Sequence, residues 1–144
     1  MTTKEVPAFV GDAILDHIEL AVADAERSRR FYEEALHPFG MTVILRVGPE
    51  RTRTGGTRYG VGRDQYPRIW FHDGEPAGSP MHLALATTDR RVVDAFHAAA
   101  LAAGGTDNGG PGVRERYHPD YYAAFVLDPD GNNIEAVCQV PGRR

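Results

Sequence analysis

Apolar and polar residues alternate along residues 16–22, Asp-His-Ile-Glu-Leu-Ala-Val. Period two predicts a half-buried strand, with Ile18, Leu20 and Val22 on one face and His17, Glu19 and Ala21 on the other. Residues 82–86 repeat the pattern, with Leu83 and Leu85 opposite His82, Ala84 and Ala86. The spacing then becomes helical. Phe31, Ala35 and Phe39 recur every four residues beside Tyr32 and Leu36, and Val92, Val93, Phe96, Ala100 and Ala103 do the same later. Asp24 and Asp89 stand where a helix N-cap belongs, each offering a carboxylate to unpaired N–H groups. Gly40, and Gly104 with Gly105, are placed to close the two helices. Strand candidates follow each helix, at 42–47, 57–62 and 68–72, and again at 113–117, 123–127 and 133–139. Gly55-Gly56 and Asp130-Gly131 supply turns, and 104–112 reads as a Gly-rich loop.

These matches share one offset. A shift of 65 residues superposes His17 on His82, Leu20 on Leu85, Ala21 on Ala86, Asp24 on Asp89, Phe31 on Phe96, Ala35 on Ala100, Leu36 on Leu101 and Gly40 on Gly105. Val61 and Ile69 meet Val126 and Ile134 at the same offset. The matched residues also have matched structural roles, which marks an internal repeat. The expectation is an α+β fold in a single domain, 1–144, of two βαβββ modules, 13–73 and 81–140. A Pro/Gly-rich connector, 73–81, joins them, and the sheets form a curved mixed cup.

The phases also sort the chemistry. If the apolar residues pack under the helices, His17 and His82 face the open side. In the last strand Ile134, Ala136 and Cys138 alternate with Glu135, so Glu135 faces that side too. The repeat makes the modules quasi-equivalent, so the three donors are expected to converge inside one curved sheet. Two imidazoles and a carboxylate form a set for a divalent metal, with positions left for water and substrate.

Composition narrows the alternatives. A single cysteine, Cys138, excludes an intrachain disulfide and suits a reducing, cytoplasmic setting. The start lacks a basic segment followed by an apolar run, so no signal peptide is expected, and no apolar run is long enough to span a membrane. Net charge is -4. The arginines at 51, 53, 58, 63 and 68 are interrupted by Glu50 and Asp64, a poor fit to nucleic acid.

His17 opening a strand, Phe31-Tyr32 on the next helix, His82 opening the second module, and the run Leu-Asp-Pro-Asp-Gly-Asn-Asn-Ile-Glu at 127–135 together resemble the vicinal-oxygen-chelate superfamily. Its members include glyoxalase I, bleomycin-resistance proteins, extradiol dioxygenases, fosfomycin-resistance transferases and methylmalonyl-CoA epimerase. The resemblance covers about residues 13–140. It implies the two-module cup, a homodimer, and a metal-dependent enzyme of dioxygenase, lyase or transferase type acting on a small oxygen-bearing molecule. Metal ligands would be His17, His82 and Glu135, and the ion Fe, Mn, Zn, Ni or Co. Glyoxalase I and the epimerase use a fourth ligand in the first module. The shift maps Glu135 onto Trp70, which cannot ligate, so the set is closer to that of the dioxygenases and fosfomycin-resistance enzymes. The Ser-rich potassium loop of the latter is not evident. The alternative is a metal-free protein that sequesters an antibiotic-like ligand.

Around this centre, Glu135, Glu19, His118 and Tyr122 are candidate catalytic groups. Trp70, His72, Tyr121 and Arg46 are candidate substrate contacts, Trp70 as a wall and Arg46 as a carboxylate partner. Asp128 and Asp130 read as turn formers, and Cys138 as inert core.

Overall fold

The computed structural model describes residues 15–78 and 80–142. The expected single domain from residue 1, the module start at 13 and the reading of the N-terminal segment therefore fall partly or wholly outside the described residues.

The chain runs β1 (Ile18–Ala21), α1 (Ala25–Ala35), β2 (Thr42–Val47), β3 (Arg58–Arg63), β4 (Tyr66–His72), β5 (His82–Ala86), α2 (Arg90–Ala102), β6 (Thr106–Asp107), β7 (Gly112–Val113), β8 (Tyr122–Leu127) and β9 (Asn133–Cys138). Asp24 and Asp89 cap their helices, accepting from Arg27 N and Arg91 N. The first helix stops at Ala35, short of Phe39. Pro38 has no N–H to continue it, and His37–Phe39 tightens into a 3-10 turn ended by left-handed Gly40.

The repeat holds in register. In the first module Ile18 pairs with Ile69, Glu19 with Trp70 and Gly60 with Trp70. Sixty-five residues later Leu83 pairs with Ile134, Ala84 with Glu135 and Phe125 with Glu135. One expectation fails at the strand after α2. Residues 114–117 are not extended, and two short pieces, β6 within the Gly-rich 104–112 segment and β7 at Gly112–Val113, take the equivalent of β2.

Each module forms its own sheet, in the order β1-β4-β3-β2 and β5-β9-β8-β6, with β7 also on β8. The expected α+β fold of two modules is thus built as two mixed sheets. The helix sides of both merge into one core. Leu20, Phe31, Tyr32, Val61, Ile69 and Phe71 join Val93, Phe96, Val126, Ile134, Ala136 and Cys138. A methyl on Gly105 would sit 2.5 Å from Val126 and 2.8 Å from the Phe31 ring, so this seam needs glycine there.

The Asp-Pro-Asp-Gly-Asn-Asn turn fastens the seam. The buried Asp128 carboxylate accepts from Tyr32 Oη at 2.5 Å and from Asn132 Nδ2 at 2.9 Å. Its other oxygen accepts from the backbone N–H groups of Asp130 and Asn132. Asp130 accepts from Ala23 N at 2.9 Å, ahead of α1. Asn132 Oδ1 accepts from Met81 N at 2.9 Å, just ahead of β5. Burial, then the Asp128 charge, pushes the Tyr32 hydroxyl well above its ordinary pKa. As expected, these aspartates build the turn.

Candidate metal centre

With the helices packed together, the opposite face of each sheet is open. On the second sheet this face carries Ala123, Phe125 and Val137, with Tyr121 against them. Glu135 lies among these, 2 % exposed. His82 Nε2 lies 2.8 Å from Glu135 Oε1, and Tyr121 Oη donates to Glu135 Oε2 at 2.5 Å. Burial first, then this carboxylate, pushes the Tyr121 hydroxyl up to about 12. Two predicted donors thus meet, and the tyrosine holds the carboxylate from its other side.

His17 belongs to the other sheet. Its Nδ1 lies 2.6 Å from Asp16 Oδ2, and Asp16 also accepts from Tyr66 Oη. Tyr66, then His17, holds the Asp16 carboxyl below its ordinary value. Nε2 has no partner among the described residues. A carboxylate on one imidazole nitrogen with the other left available is how metal-binding histidines are commonly oriented. The three donors do not meet within one chain, however. Among the described residues no group of three or more His, Cys, Asp or Glu side chains could hold a metal ion. Alternation agrees with the meeting of His82 and Glu135, but the two sheets join through their helices and leave β1 and β5 as separate outer strands. The donor chemistry fits a divalent ion as two half-sites, one with His17 and one with His82 and Glu135.

The other predicted residues divide. Trp70 and His72 lie on the open face of the first sheet, beside Glu19. Trp70 is 7 % exposed and its ring occupies the space over Gly60. Glu19 is engaged by Arg58, whose Nε donates to Oε1 at 2.5 Å. His118 does not approach Glu135: its Nδ1 accepts from Asp120 N and its Nε2 lies 2.8 Å from Gln139 Oε1.

Two expectations are corrected. Tyr122 points to the helix side, where its hydroxyl donates to Asp94 at 2.5 Å and Arg90 covers its ring. It follows the alternation of Ala124 and Val126, which leaves Tyr121 alone on the open face. Arg46 also lies on the helix side, opposite Tyr59, which it reaches. The cause is a bulge between Val43 and Leu45, whose extra residue inverts the phase of β2. Sequence reasoning missed Arg58. Its guanidinium carbon lies 3.8 Å over the Trp70 ring, and its register partner is His72. The phase of the 57–62 strand against 68–72 was the available signal.

The fold is that of a vicinal-oxygen-chelate protein. Residues 14–136 match the profile of the Glyoxalase/Bleomycin resistance protein/Dioxygenase superfamily, and the chain belongs to that family. Among solved structures it is similar to a glyoxalase/bleomycin resistance protein from Albidiferax ferrireducens T118. Identity is 30% over 88% of this chain and 98% of that one, with a TM-score of 0.68. It also shares the fold of a glyoxylase/bleomycin resistance protein/dioxygenase domain from Frankia sp. EAN1pec, at 18% identity, covering 92% and 99%, TM-score 0.66. Glyoxalase I from Zea mays aligns at 21% identity over 88% of this chain and 45% of that one, TM-score 0.65. Among the curated proteins searched, none matches. Among the described residues, no helix is long and apolar enough to cross a membrane.

Proposed function

We propose that this protein is a divalent-metal-dependent enzyme acting on a small oxygen-bearing molecule, with each metal site shared between two copies of the chain. The observation that carries the reading is the pair of complementary half-sites. His82 and Glu135 face one another on one open sheet, and His17, oriented by Asp16, stands at the start of the other.

Topology supports the pairing. The strands that His17 and His82 open are the outermost of their sheets. An outer strand presents unpaired N–H and C=O groups to a second chain. In a twofold dimer, β1 of one copy beside β5 of the other joins the first sheet of each copy to the second sheet of its partner. A twofold axis makes two such junctions. Each would hold one ion through His17 of one copy and His82 and Glu135 of the other. When bound, the ion supplies a Lewis acid for two adjacent substrate oxygens or a bound water.

The chain's own residues do the rest. Tyr121 fixes one oxygen of Glu135 and leaves the other toward His82. Phe125, Ala123 and Val137 form a dry wall, which strengthens electrostatic contacts made against it. Trp70 takes the position of a fourth ligand and, buried beneath Arg58, fixes that guanidinium instead.

Elemental analysis of untagged protein supplied with Fe, Mn, Zn, Ni and Co tests this. The expected result is a dimer with about one ion per chain, and loss of that ion in His17→Ala and in Glu135→Ala. A protein that takes up no metal under any supply condition contradicts the reading.

A further inference from the structure

Beyond the metal half-site, the open face of the first sheet carries a second constellation. Glu19, Arg58, His72, Arg51 and Thr52 line a cavity of about 250 Å³ at the end of this face. Arg58 is held twice, with Cζ 3.8 Å over the Trp70 ring centroid and Nε on Glu19 at 2.5 Å. Its two Nη atoms make no hydrogen bond among the described residues. Behind it His72 is 14 % exposed, with Nε2 3.2 Å from Glu75. Among the described residues the buried Nδ1 of His72 has no hydrogen-bond partner, and Glu19 Oε2 stands 3.5 Å away. The lining holds three guanidinium groups, Arg51, Arg53 and Arg58, against two carboxylates, Glu19 and Glu75, so it is net positive by one.

A guanidinium fixed in orientation with its outer fork free is a preformed partner for a planar oxyanion, which it grips by two parallel N–H bonds. Stacking and the Glu19 contact remove most of the rotamer freedom that binding would otherwise cost. We infer that this cavity is a carboxylate subsite, in which the Nη edge of Arg58, backed by the Trp70 ring, holds the acid group of the substrate. The inference rests on the functional reading above only for what lies next to it. Arg58 is in register with His72, and His72 with Ala21, so the subsite lies four residues, about 13 Å, along β1 from His17. The substrate class is then a small carboxylic acid.

The test uses metal-free, chelator-treated protein, so its failure and that of the metal reading are separable. Benzoate is titrated against the neutral isostere benzamide, with calorimetry and the fluorescence of Trp70, the single tryptophan, as readouts. Benzoate should bind saturably, change Trp70 emission, and bind at least about tenfold more tightly than benzamide. Arg58→Lys, which keeps the charge and loses the fork, should weaken benzoate about tenfold, with circular dichroism confirming the fold. Arg46→Lys, on the helix side, should change nothing. Equal binding of benzamide, unaltered binding by Arg58→Lys, or inorganic phosphate binding where benzoate does not, would overturn the subsite.

Discussion

The two open faces are built on one register and carry opposite chemistry. Glu135 lies across from Phe125 on the second sheet, and Trp70 lies across from Gly60 on the first. In one module the acid sits beside an aromatic wall. In the other the aromatic has taken the position of the acid, and glycine makes room for it. Arg58 covers that aromatic where the other module has Ala123. A repeat that keeps its helix side apolar in both halves leaves the open side free to diverge. One face can become the principal ligand carrier while the other becomes a recognition surface. Among the described residues, neither face gathers three His, Cys, Asp or Glu side chains that could hold a metal ion.

The seam sets off this comparison, because all four hydrogen bonds to the Asp128 carboxylate close within one chain. Asp128→Ala should have the largest effect on stability. It strands Tyr32 Oη, Asn132 and two backbone N–H groups in a buried site, at a cost of about 3 kcal/mol. Urea unfolding measures it, and a loss within experimental error of zero would mean that the turn does not fasten the modules.

Next is Gly60→Ala, which puts a methyl 2.9 Å from the Trp70 ring. Displacing the indole should cost about 1–2 kcal/mol and shift Trp70 emission. Unchanged emission would show that the first face does not depend on this close fit. The smallest effect concerns Glu26, on the helix side. Arg29, then Tyr59, depresses its carboxyl to about 2 from 4.5. A depressed carboxylate contributes stability that is present above the unfolded value and is lost as pH falls through the folded value. Glu26→Gln should therefore be less stable at pH 7 by under about 1 kcal/mol, since the pair is half-exposed. The gap should close between pH 4.5 and about 2. A gap that widens on acidification contradicts this.

Much of this could be read from the residues. The 65-residue offset, the aspartate caps and the face of every proposed ligand follow from periods of two and 3.6. So does the turn role of Asp128 and Asp130. Arg46 escaped because a bulge adds one residue without any mark in the sequence. Tyr122 escaped because a phase read from the aromatic run 117–122 has no anchor until the strand begins. Arg58 was passed over as part of a loose basic cluster. The separation of His17 from His82 and Glu135 escaped for a deeper reason: alternation says which way a side chain points, and it does not say which sheets come to face one another.

The most direct measurement co-expresses His17→Ala with Glu135→Ala and assays bound metal in the purified mixture. Each variant alone should carry none. In a mixed dimer the His17 of one chain meets the intact His82 and Glu135 of the other at one of the two junctions. With random pairing, metal should return to about a quarter of the wild-type level. No recovery, in dimers shown to be mixed and folded, would contradict a site shared between chains.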